Sequence, residues 1–405
     1  MAAKDETLTT DALVDEALAL GAQLDRPLRY VQINSFYNGS TGSIMRSLHR
    51  GLSEKGVDSY IFWGRRYETV NDYEQCCATK LGYLSHGVKT RLFDRMGFYS
   101  KRDTAELLAK LDKIDPDVVH LHNVHGYYVN IEMLFEWLSS HRCQVRWTLH
   151  DCWAFTGHCA YFTYVSCAQW KKHCAYIESC PQLHTYPNTI SKVNCARNFE
   201  DKRRIFTSIP SERMTLITPS QWLADLVGES FLAKYPVEVR RNTIDVNVFK
   251  PTASDIRDRY GIGRRFMVLG VASPWTERKG LPDFVRLAAE LDSNKFAIVL
   301  VGLSKKQIER LPRGIIGLTR TDSPRQLAGI YTSADVLFNP SLEDNYPTVI
   351  LEAEACGTPV VTYRVGGCSE AVQRRDSKSV VDYEEAVFAI ENRQAGEAAC
   401  SFQRN

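Results

Sequence analysis

The residues whose types and spacing are best suited to binding or catalysis lie in the last third of the chain, where positive charge precedes a predicted helix. Arg278, Lys279 and Gly280 stand directly before a helix that opens at Pro282. A helix N-terminus presents free N–H groups and partial positive charge, and the two cationic side chains add full charge. This combination favours a bound diphosphate. A solvated turn of charged residues explains the same segment equally well, so the segment alone leaves both interpretations open.

Carboxylates and glycines follow in the segment NPSLEDNYPTVILEAEACGTPVVTYRVGG. Asp344 and Glu352 lie eight positions apart, and Glu352 stands on a predicted helix that ends at Gly357. A carboxylate there can accept two hydrogen bonds from vicinal hydroxyls such as those of a ribose. Gly366 and Gly367 follow the next predicted strand, where a missing β-carbon permits close approach to the backbone. Each feature by itself is weak evidence for a ligand site, but the ordered set is not weak evidence.

Alternating strands and helices position these segments. Short, continuous apolar runs, which are typical of parallel strands buried on both faces, alternate from residue 28 onward with amphipathic helices such as Lys279–Leu291. This alternation predicts α/β domains with parallel sheets, whose ligands bind beyond the carboxyl ends of the strands. The predicted strands are Leu28–Ile33, Ser59–Trp63, Val118–His122, Arg146–Leu149, Thr215–Thr218, Phe266–Val271, Ala297–Val301, Asp335–Asn339 and Pro359–Tyr363.

The chain divides into two such domains, whose sheets are expected to face one cleft. The predicted boundaries are 1–27 for an acidic N-terminal extension, 28–248 for the first domain with a cysteine-rich insertion at 152–187, 249–264 for a linker, 265–383 for the second domain, and 384–405 for a C-terminal tail.

The ordered motifs resemble those of the family-4 retaining glycosyltransferases, whose GT-B fold has two Rossmann-like domains facing one cleft. The family signature is an acidic residue, seven others, a Glu and then a Gly-x-Pro-Val turn, here Asp344 through Glu352 and AEACGTPVV. DVVHLHNVHG, WTLHD, LITPSQWLADLV and RRNTIDVNVFKP are also similar, so the resemblance covers about residues 28–385. The stretch TLHDCWAFTGHCAYF further resembles the branch that builds bacterial exopolysaccharides, including colanic-acid-type enzymes.

The resemblance implies that the first domain binds the acceptor and the second a nucleotide-diphosphate sugar. Glu352 would hold the ribose hydroxyls, and Lys279 with Arg278 the diphosphate. Asp344 would lie near the donor sugar, where family members usually have Glu. The other donor-binding residues implied in this domain are Asn345, Tyr346, Gly366 and Gly367.

Two features of the first domain also match the resemblance. Gly39 and Gly42 follow the first strand and resemble the glycine loop that faces the donor, although a Gly-Ser turn is common in many proteins. His150 in TLHD would lie beside the donor sugar, oriented by Asp151; a structural histidine is the alternative. The catalytic residues implied are therefore His150, Asp344 and Lys279. The other strand-end histidines are His120, which we expect to be structural, and His122 and His125, which either line the cleft or stabilise the fold.

The cysteines have two interpretations. Cys159, Cys167, Cys174 and Cys180 fall within 22 residues, a density that suggests a structural tetrahedral zinc site. Their spacing lacks the tight C-x-x-C knuckle, so free or disulfide-prone thiols are the alternative. For catalysis we predict that no cofactor is required, because Lys279 and Arg278 stabilise the leaving diphosphate in place of a metal.

Composition limits the partners and the location. The 405 residues are 44% hydrophobic and 24% charged with a net charge of +2, which indicates a globular protein without a global field for nucleic acid. The acidic first 27 residues lack the basic start of a signal peptide, so we predict a cytoplasmic protein. Segment 84–102 carries five cations and one acid, and its apolar residues at helical spacing are Leu84, Val88, Leu92, Met96 and Tyr99. It either contacts an anionic membrane or forms an ordinary surface helix.

Together these observations predict a retaining hexosyltransferase that uses a UDP- or GDP-sugar in bacterial exopolysaccharide or capsule synthesis. The acceptor would be a saccharide or a lipid-linked saccharide. One alternative is a catalytically silent sugar-nucleotide-binding partner protein, because Ser273 stands where the family often has Arg and the chain stops where a crossover helix would begin. A GT-B phosphorylase is another.

Overall fold

Residues 9–65 and 68–402, the part of the chain described by a computed structural model, fold as two compact units. The division falls between Thr243 and Ile244. Each unit contains one sheet flanked by helices, and the strand pairs in both sheets are parallel. The prediction of two Rossmann-like α/β domains with parallel sheets is confirmed.

Seven strands form the sheet of the first unit. They are β1 Arg29–Phe36, β2 Asp58–Arg65, β3 Glu74–Cys76, β4 Val118–Leu121, β5 Gln144–Thr148, β6 Met214–Thr218 and β7 Val237–Val239. Their order across the sheet is β3-β2-β1-β4-β5-β6-β7. The helices are α1 Thr9–Gly21, α2 Ser40–Glu54, α3 Lys80–Phe93, α4 Lys101–Ile114, α5 Ile131–Ser140, α6 Cys195–Phe206 and α7 Gln221–Gly228.

Six strands form the sheet of the second unit. They are β8 Phe266–Val271, β9 Phe296–Val301, β10 Ile315–Leu318, β11 Val336–Asn339, β12 Val360–Tyr363 and β13 Lys378–Val380. Their order is β10-β9-β8-β11-β12-β13. The helices are α8 Ile256–Arg259, α9 Leu281–Glu290, α10 Lys305–Ile308, α11 Pro324–Ser333, α12 Thr348–Ala355, α13 Cys368–Ala371 and α14 Tyr383–Phe402.

All nine predicted strands are present, and they are the interior strands of the two sheets. Their apolar runs are buried on both faces, as in β4 and β9, where every residue is buried. The strands absent from the prediction are β3, β7, β10 and β13, which are the edge strands of the two sheets. Each has three or four residues and is mostly half-buried, so it lacks a continuous apolar run.

Both ends of the described chain pack on the sheets. The predicted acidic extension contains α1, which buries Leu13, Val14 and Ala17 in a cluster with Leu28 of the first unit. Residues 1–8 lie outside the described residues. The predicted C-terminal tail is largely α14, whose Ile390 is buried in the core beside β12 and β13. This helix therefore covers the sheet of its own unit.

The segment 84–102 is not one helix. α3 ends at Phe93, because Asp94 adopts a left-handed conformation with φ 51°, and α4 begins at Lys101. Met96, which the helical spacing grouped with the apolar residues of α3, is buried. The helical stripe predicted through Met96 and Tyr99 is therefore wrong beyond Phe93. Over the described ranges, the helices are all too short or too polar to cross a bilayer.

Candidate donor-binding site

Three adjacent strands of the second unit bring the predicted donor-binding residues together. Arg278 and Lys279 follow β8, Asp344 follows β11, and Gly366 follows β12. Because β8, β11 and β12 are neighbours and parallel, their carboxyl ends meet at one edge of the sheet. Glu352 lies on α12, the helix that connects β11 to β12.

Two glycines allow the loops at this edge to touch. Gly280, with φ 74°, lies against the Pro340 carbonyl, and Gly366, with φ 54°, lies against the Asp344 carbonyl. A β-carbon at either position would collide with that backbone oxygen. The Gly367 N–H also donates to the Asp344 carbonyl oxygen at 3.0 Å. Gly280 and Gly366 therefore allow one loop to pack against another. For Gly366, this packing comes in addition to the ligand contact that the sequence predicted.

Lys279 and Asp344 form an ion pair at the centre of the site. The Lys279 Nζ lies 2.5 Å from the Asp344 Oδ2, and the Asp344 side chain is largely buried. Burial favours the protonated carboxyl, but the charges of Lys279 and Arg278 and the hydrogen bond from Lys279 outweigh it, so the pKa of Asp344 is lowered. Asp344 is therefore a buried carboxylate held by the lysine that was predicted to bind phosphate.

Arg278 fastens two loops to each other. Its guanidinium donates to the Glu343 carbonyl, and its own carbonyl accepts from the Leu342 N–H at 2.8 Å. Two hydrogen bonds thus join the loop after β8 to the loop after β11, next to Lys279. Arg278 supports the position of Lys279 as well as adding charge.

Glu352 is held by a residue that the sequence did not single out. The Tyr331 hydroxyl, on α11, donates to Glu352 Oε2 at 2.9 Å. Burial raises the pKa of Glu352, and the hydrogen bonds from Tyr331 and Thr348 only partly offset it. A tyrosine on an amphipathic helix is most often a core residue, so its spacing gave no signal of this contact.

Glu354, two positions along α12, has a different role. Its Oε2 accepts from the N–H groups of Gln373 and Arg374 at 2.9 and 3.2 Å. It therefore ties α12 to the segment after α13. Of the two glutamates, Glu352 lies on the side of the helix that Tyr331 contacts.

Asn345 and Tyr346 are both buried beside Asp344. The Asn345 N–H donates to Asp344 Oδ1 at 3.1 Å, which orients the carboxylate. Tyr346 packs in the core cluster of the second unit and is 3% exposed. Backbone rather than the Tyr346 ring is thus the part of this segment that a ligand can approach.

The remaining predicted site residues belong to the first unit. Gly39 immediately precedes α2 and Gly42 lies in its first turn, following β1. His150 follows β5. The predicted site is therefore divided, with Gly39, Gly42 and His150 on one unit and the donor-binding residues on the other.

His150 belongs to a stack of three histidine rings. The ring centroids of His120 and His122 lie 4.4 Å apart, and those of His122 and His150 lie 5.5 Å apart. The His122 Nε2 is 3.2 Å from the acceptor oxygen of Gln32, so it carries the proton, and the His122 Nδ1 then accepts from the His150 Nε2 at 3.2 Å. Burial lowers the pKa of His150 to about 4, so His150 is neutral, with Nδ1 as its acceptor atom.

Asp151 orients a different histidine from the one predicted. Its Oδ2 lies 3.0 Å from the His125 Nε2, and its Oδ1 accepts from the Trp153 N–H at 2.9 Å. The His125 Nδ1 is 3.0 Å from the Tyr186 hydroxyl. Burial opposes ionisation of Asp151, but the charge and hydrogen bond of His125 outweigh it, so the pKa of Asp151 is lowered. His125 and His150 line the same small pocket.

His120 makes the first unit sensitive to acid. It is fully buried between the Tyr30 hydroxyl at 2.9 Å and the Thr148 hydroxyl at 2.7 Å, and burial lowers its pKa from 6.5 to about 3. Between these values the unfolded chain binds the proton and the folded chain does not. This contribution to the free energy of unfolding is therefore present above pH 6.5 and falls by up to about 1.4 kcal/mol per pH unit below it.

We expect His120→Gln to flatten this pH dependence. Urea unfolding at several pH values between 4 and 8 gives the free energy of unfolding of the wild type and of the variant as a function of pH. The difference between the two slopes reports on His120, because the many carboxylates that also titrate are common to both proteins. Parallel curves would mean that the folded and unfolded chains protonate His120 at the same pH, so that burial does not lower its pKa.

The cysteines do not form the predicted zinc site. The thiols of Cys159 and Cys195 hydrogen-bond that of Cys180, and Cys195 also bonds Cys174. Cys167 instead interacts with the backbone of Gln169. Throughout residues 9–65 and 68–402, no three His, Cys, Asp or Glu side chains are arranged to hold a metal ion. The zinc prediction on Cys159, Cys167, Cys174 and Cys180 is therefore not supported.

Comparison with known proteins finds similarity in sequence and in fold. Residues 264–393, which include the donor-side loops, match the family described as Glycosyl transferases group 1. Over 361 residues the chain is 25% identical to the putative colanic acid biosynthesis glycosyl transferase WcaC of Escherichia coli (strain K12), covering 84% of this chain and 82% of that protein.

Two solved structures share the fold over most of both chains. Sucrose-phosphate synthase from Thermosynechococcus elongatus aligns with a TM-score of 0.66 and 16% identity, covering 91% of this chain and 90% of that one. Anabaena HepE in complex with UDP-glucose aligns with a TM-score of 0.53 and 14% identity, covering 90% and 89%. At these identities the likeness concerns the fold.

Proposed function

We propose that the chain, a group 1 glycosyltransferase with the GT-B fold that transfers sugar from a nucleotide sugar, uses a UDP- or GDP-hexose as its donor. We propose a saccharide or lipid-linked saccharide as the acceptor, in the synthesis of a bacterial exopolysaccharide or capsule. The name of WcaC supports the exopolysaccharide assignment, and the UDP-glucose bound by HepE supports the donor class.

What supports this proposal is the ion pair of Lys279 with Asp344 beyond the carboxyl ends of β8 and β11, with Glu352 on α12, the helix that follows Asp344 in the chain. Glu352 would accept hydrogen bonds from the ribose hydroxyls while Tyr331 holds its Oε2. Lys279 would pair with the diphosphate, and the backbone around Asn345 and Gly366 would lie against the phosphate and sugar. For His150 the proposal keeps the role that the resemblance implies, a position beside the donor sugar.

The proposed transfer needs no group beyond donor, acceptor and these residues. The bond between the anomeric carbon and the diphosphate oxygen breaks, and a bond from that carbon to the acceptor oxygen forms. The proton of the acceptor hydroxyl passes to the departing diphosphate. Lys279 stabilises the negative charge that develops on the leaving group, the point at which a fixed cation lowers the barrier most.

The test is a titration of the purified protein with UDP-glucose, GDP-mannose and ADP-glucose, followed by turnover with saccharide acceptors. We expect one base series to bind and its nucleoside diphosphate to be released only when an acceptor is present. Binding without turnover would indicate a catalytically silent partner protein. Release of sugar phosphate when inorganic phosphate is supplied as the acceptor would indicate a phosphorylase. If neither UDP-glucose nor GDP-mannose bound, or if only ADP-glucose did, the proposed donor class would be wrong.

A further inference from the structure

The outward side of α3 is apolar, and its inward side is polar. Leu81, Leu84, Val88 and Leu92 recur at helical spacing and are 80, 49, 59 and 44% exposed. A helix on the surface of a globular domain normally has the opposite polarity, with its apolar stripe against the core. The neighbouring Phe93, at the helix end, is 52% exposed.

Polar contacts fix α3 in this orientation. His86 is 1% exposed; its Nε2 accepts from the Gly97 N–H at 3.1 Å, and its Nδ1 donates to the Ser100 hydroxyl at 2.8 Å. Burial lowers the pKa of His86 to about 3, so the ring is neutral and this donor–acceptor pattern holds. Thr79 caps the helix by accepting from Gly82 N–H and is itself bonded to Asp103. The apolar stripe therefore cannot turn inward without breaking these bonds.

A second segment extends the apolar surface. The Ile190 N–H donates to the Arg91 carbonyl at 3.0 Å, and the Asn194 side chain donates to the Phe93 carbonyl at 2.8 Å. These bonds hold Ile190 and Val193, which are 60 and 79% exposed, beside the end of α3. We call the exposed side chains of Leu81, Leu84, Val88, Leu92, Phe93, Ile190 and Val193 the α3 face.

The charged side chains of the two segments that carry the α3 face are all positive. At about 100° per residue, Lys89 lies about 95° to one side of the middle of the apolar stripe, and Lys80 and Arg91 lie about 85° and about 65° to the other side. All three are exposed, as is Lys192 beside Val193. Neither 80–93 nor 187–194 contains an Asp or Glu. A stripe of apolar side chains with cations along both margins matches the interface of an anionic bilayer, where the apolar groups enter the acyl region and the cations meet phosphates.

We propose that the α3 face docks the first unit on an anionic lipid bilayer. A second copy of the chain is a poorer occupant, because apposing two such faces would bring cations against cations. Such docking goes beyond the transfer reaction, because it would bring the enzyme to a membrane-bound acceptor. It does not depend on the identity of the donor.

The experiment is co-sedimentation of the full chain with vesicles of phosphatidylcholine alone or mixed with phosphatidylglycerol, without sugar nucleotide. We expect stronger partition to the anionic vesicles and a decrease on adding salt. The Leu84→Ser/Val88→Ser variant should partition at least about tenfold more weakly to them. Lys89→Gln/Arg91→Gln should lose most of the preference for anionic lipid. Because all four side chains are exposed, the melting temperature should not change.

The matched control is Phe388→Ser on α14, an apolar residue of the second unit that is 67% exposed. Its partition should equal that of the wild type. Equal partition to both vesicle types, or an equal loss in the control, would overturn the proposal. So would a dimer, seen by sedimentation equilibrium, that Leu84→Ser/Val88→Ser dissociates. None of these outcomes bears on the transfer reaction, since a defective donor site would leave vesicle binding unchanged.

Discussion

Replacing Glu352 with alanine is expected to weaken nucleotide binding by about 100-fold or more. The proposed contact is a carboxylate that accepts from two ribose hydroxyls, and hydrogen bonds to a charged group contribute about 1.5–3 kcal/mol each. A loss of about 3 kcal/mol corresponds to about a 100-fold rise in Kd. Glu352→Gln keeps one acceptor oxygen and should lose less. Calorimetric titration with the nucleoside diphosphate that the wild type binds measures both variants.

Glu354→Gln is the control for these variants because it changes the same type of residue on the same helix. Glu354 accepts two backbone N–H groups of the segment 373–374 and has no proposed ligand contact. Its substitution should lower the free energy of unfolding by about 1–3 kcal/mol and leave the Kd unchanged. If folded Glu352→Ala bound the nucleotide like the wild type, the ribose role of Glu352 would be wrong.

The pKa of Glu352 adds a second readout. Because burial raises that pKa, the carboxylate takes up a proton at a higher pH than an ordinary glutamate does. Ribose hydroxyls need an acceptor, so nucleotide affinity should decrease as the pH falls into this range. Tyr331→Phe removes a hydrogen bond that stabilises the carboxylate and should move the decrease to a higher pH.

The interior of each sheet could be predicted from the sequence, but the edges could not. Strands such as β8 and β9 are covered on both faces and therefore consist of uninterrupted apolar residues. Edge strands such as β3 and β10 are half-buried, and each is a strand because it pairs with one neighbouring strand along one side only. A run of three or four mixed residues carries no local signal of that pairing.

For the candidate site, residue types were predictable and partners were not. Spacing and resemblance drew attention to Lys279, Asp344 and Glu352. The bonds that define their chemistry, such as the pairing of Lys279 with Asp344 and of Tyr331 with Glu352, join residues from different elements. The same limit explains Asp151: adjacency favoured His150 as its partner, whereas the fold brings His125 to it.

The largest expected loss of turnover is that of Lys279→Ala. In the proposed mechanism Lys279 is the cation nearest the departing diphosphate, and removing one preorganised donor to a developing anion typically costs about 100- to 1,000-fold in rate. Arg278 is engaged with the Glu343 carbonyl, so it should not replace the missing charge fully. Steady-state kinetics with the preferred donor should show the loss mainly in kcat.

The loss of kcat in Lys279→Ala has to be interpreted together with Asp344, because the Asp344 Oδ2 lies 2.5 Å from the Lys279 Nζ. A diphosphate would have to share the ammonium with a buried negative charge, so Asp344→Asn should bind the nucleoside diphosphate as tightly as the wild type or more tightly. If Asp344 also acts on the donor sugar, kcat should fall in the same variant while the affinity holds. In Lys279→Ala/Asp344→Asn, the loss of both partners should then be smaller than the product of the two single losses, because the ion pair couples them. If kcat were unchanged in Asp344→Asn, Asp344 would serve only as the counterion of Lys279. If kcat were unchanged in Lys279→Ala, Lys279 would not stabilise the leaving group.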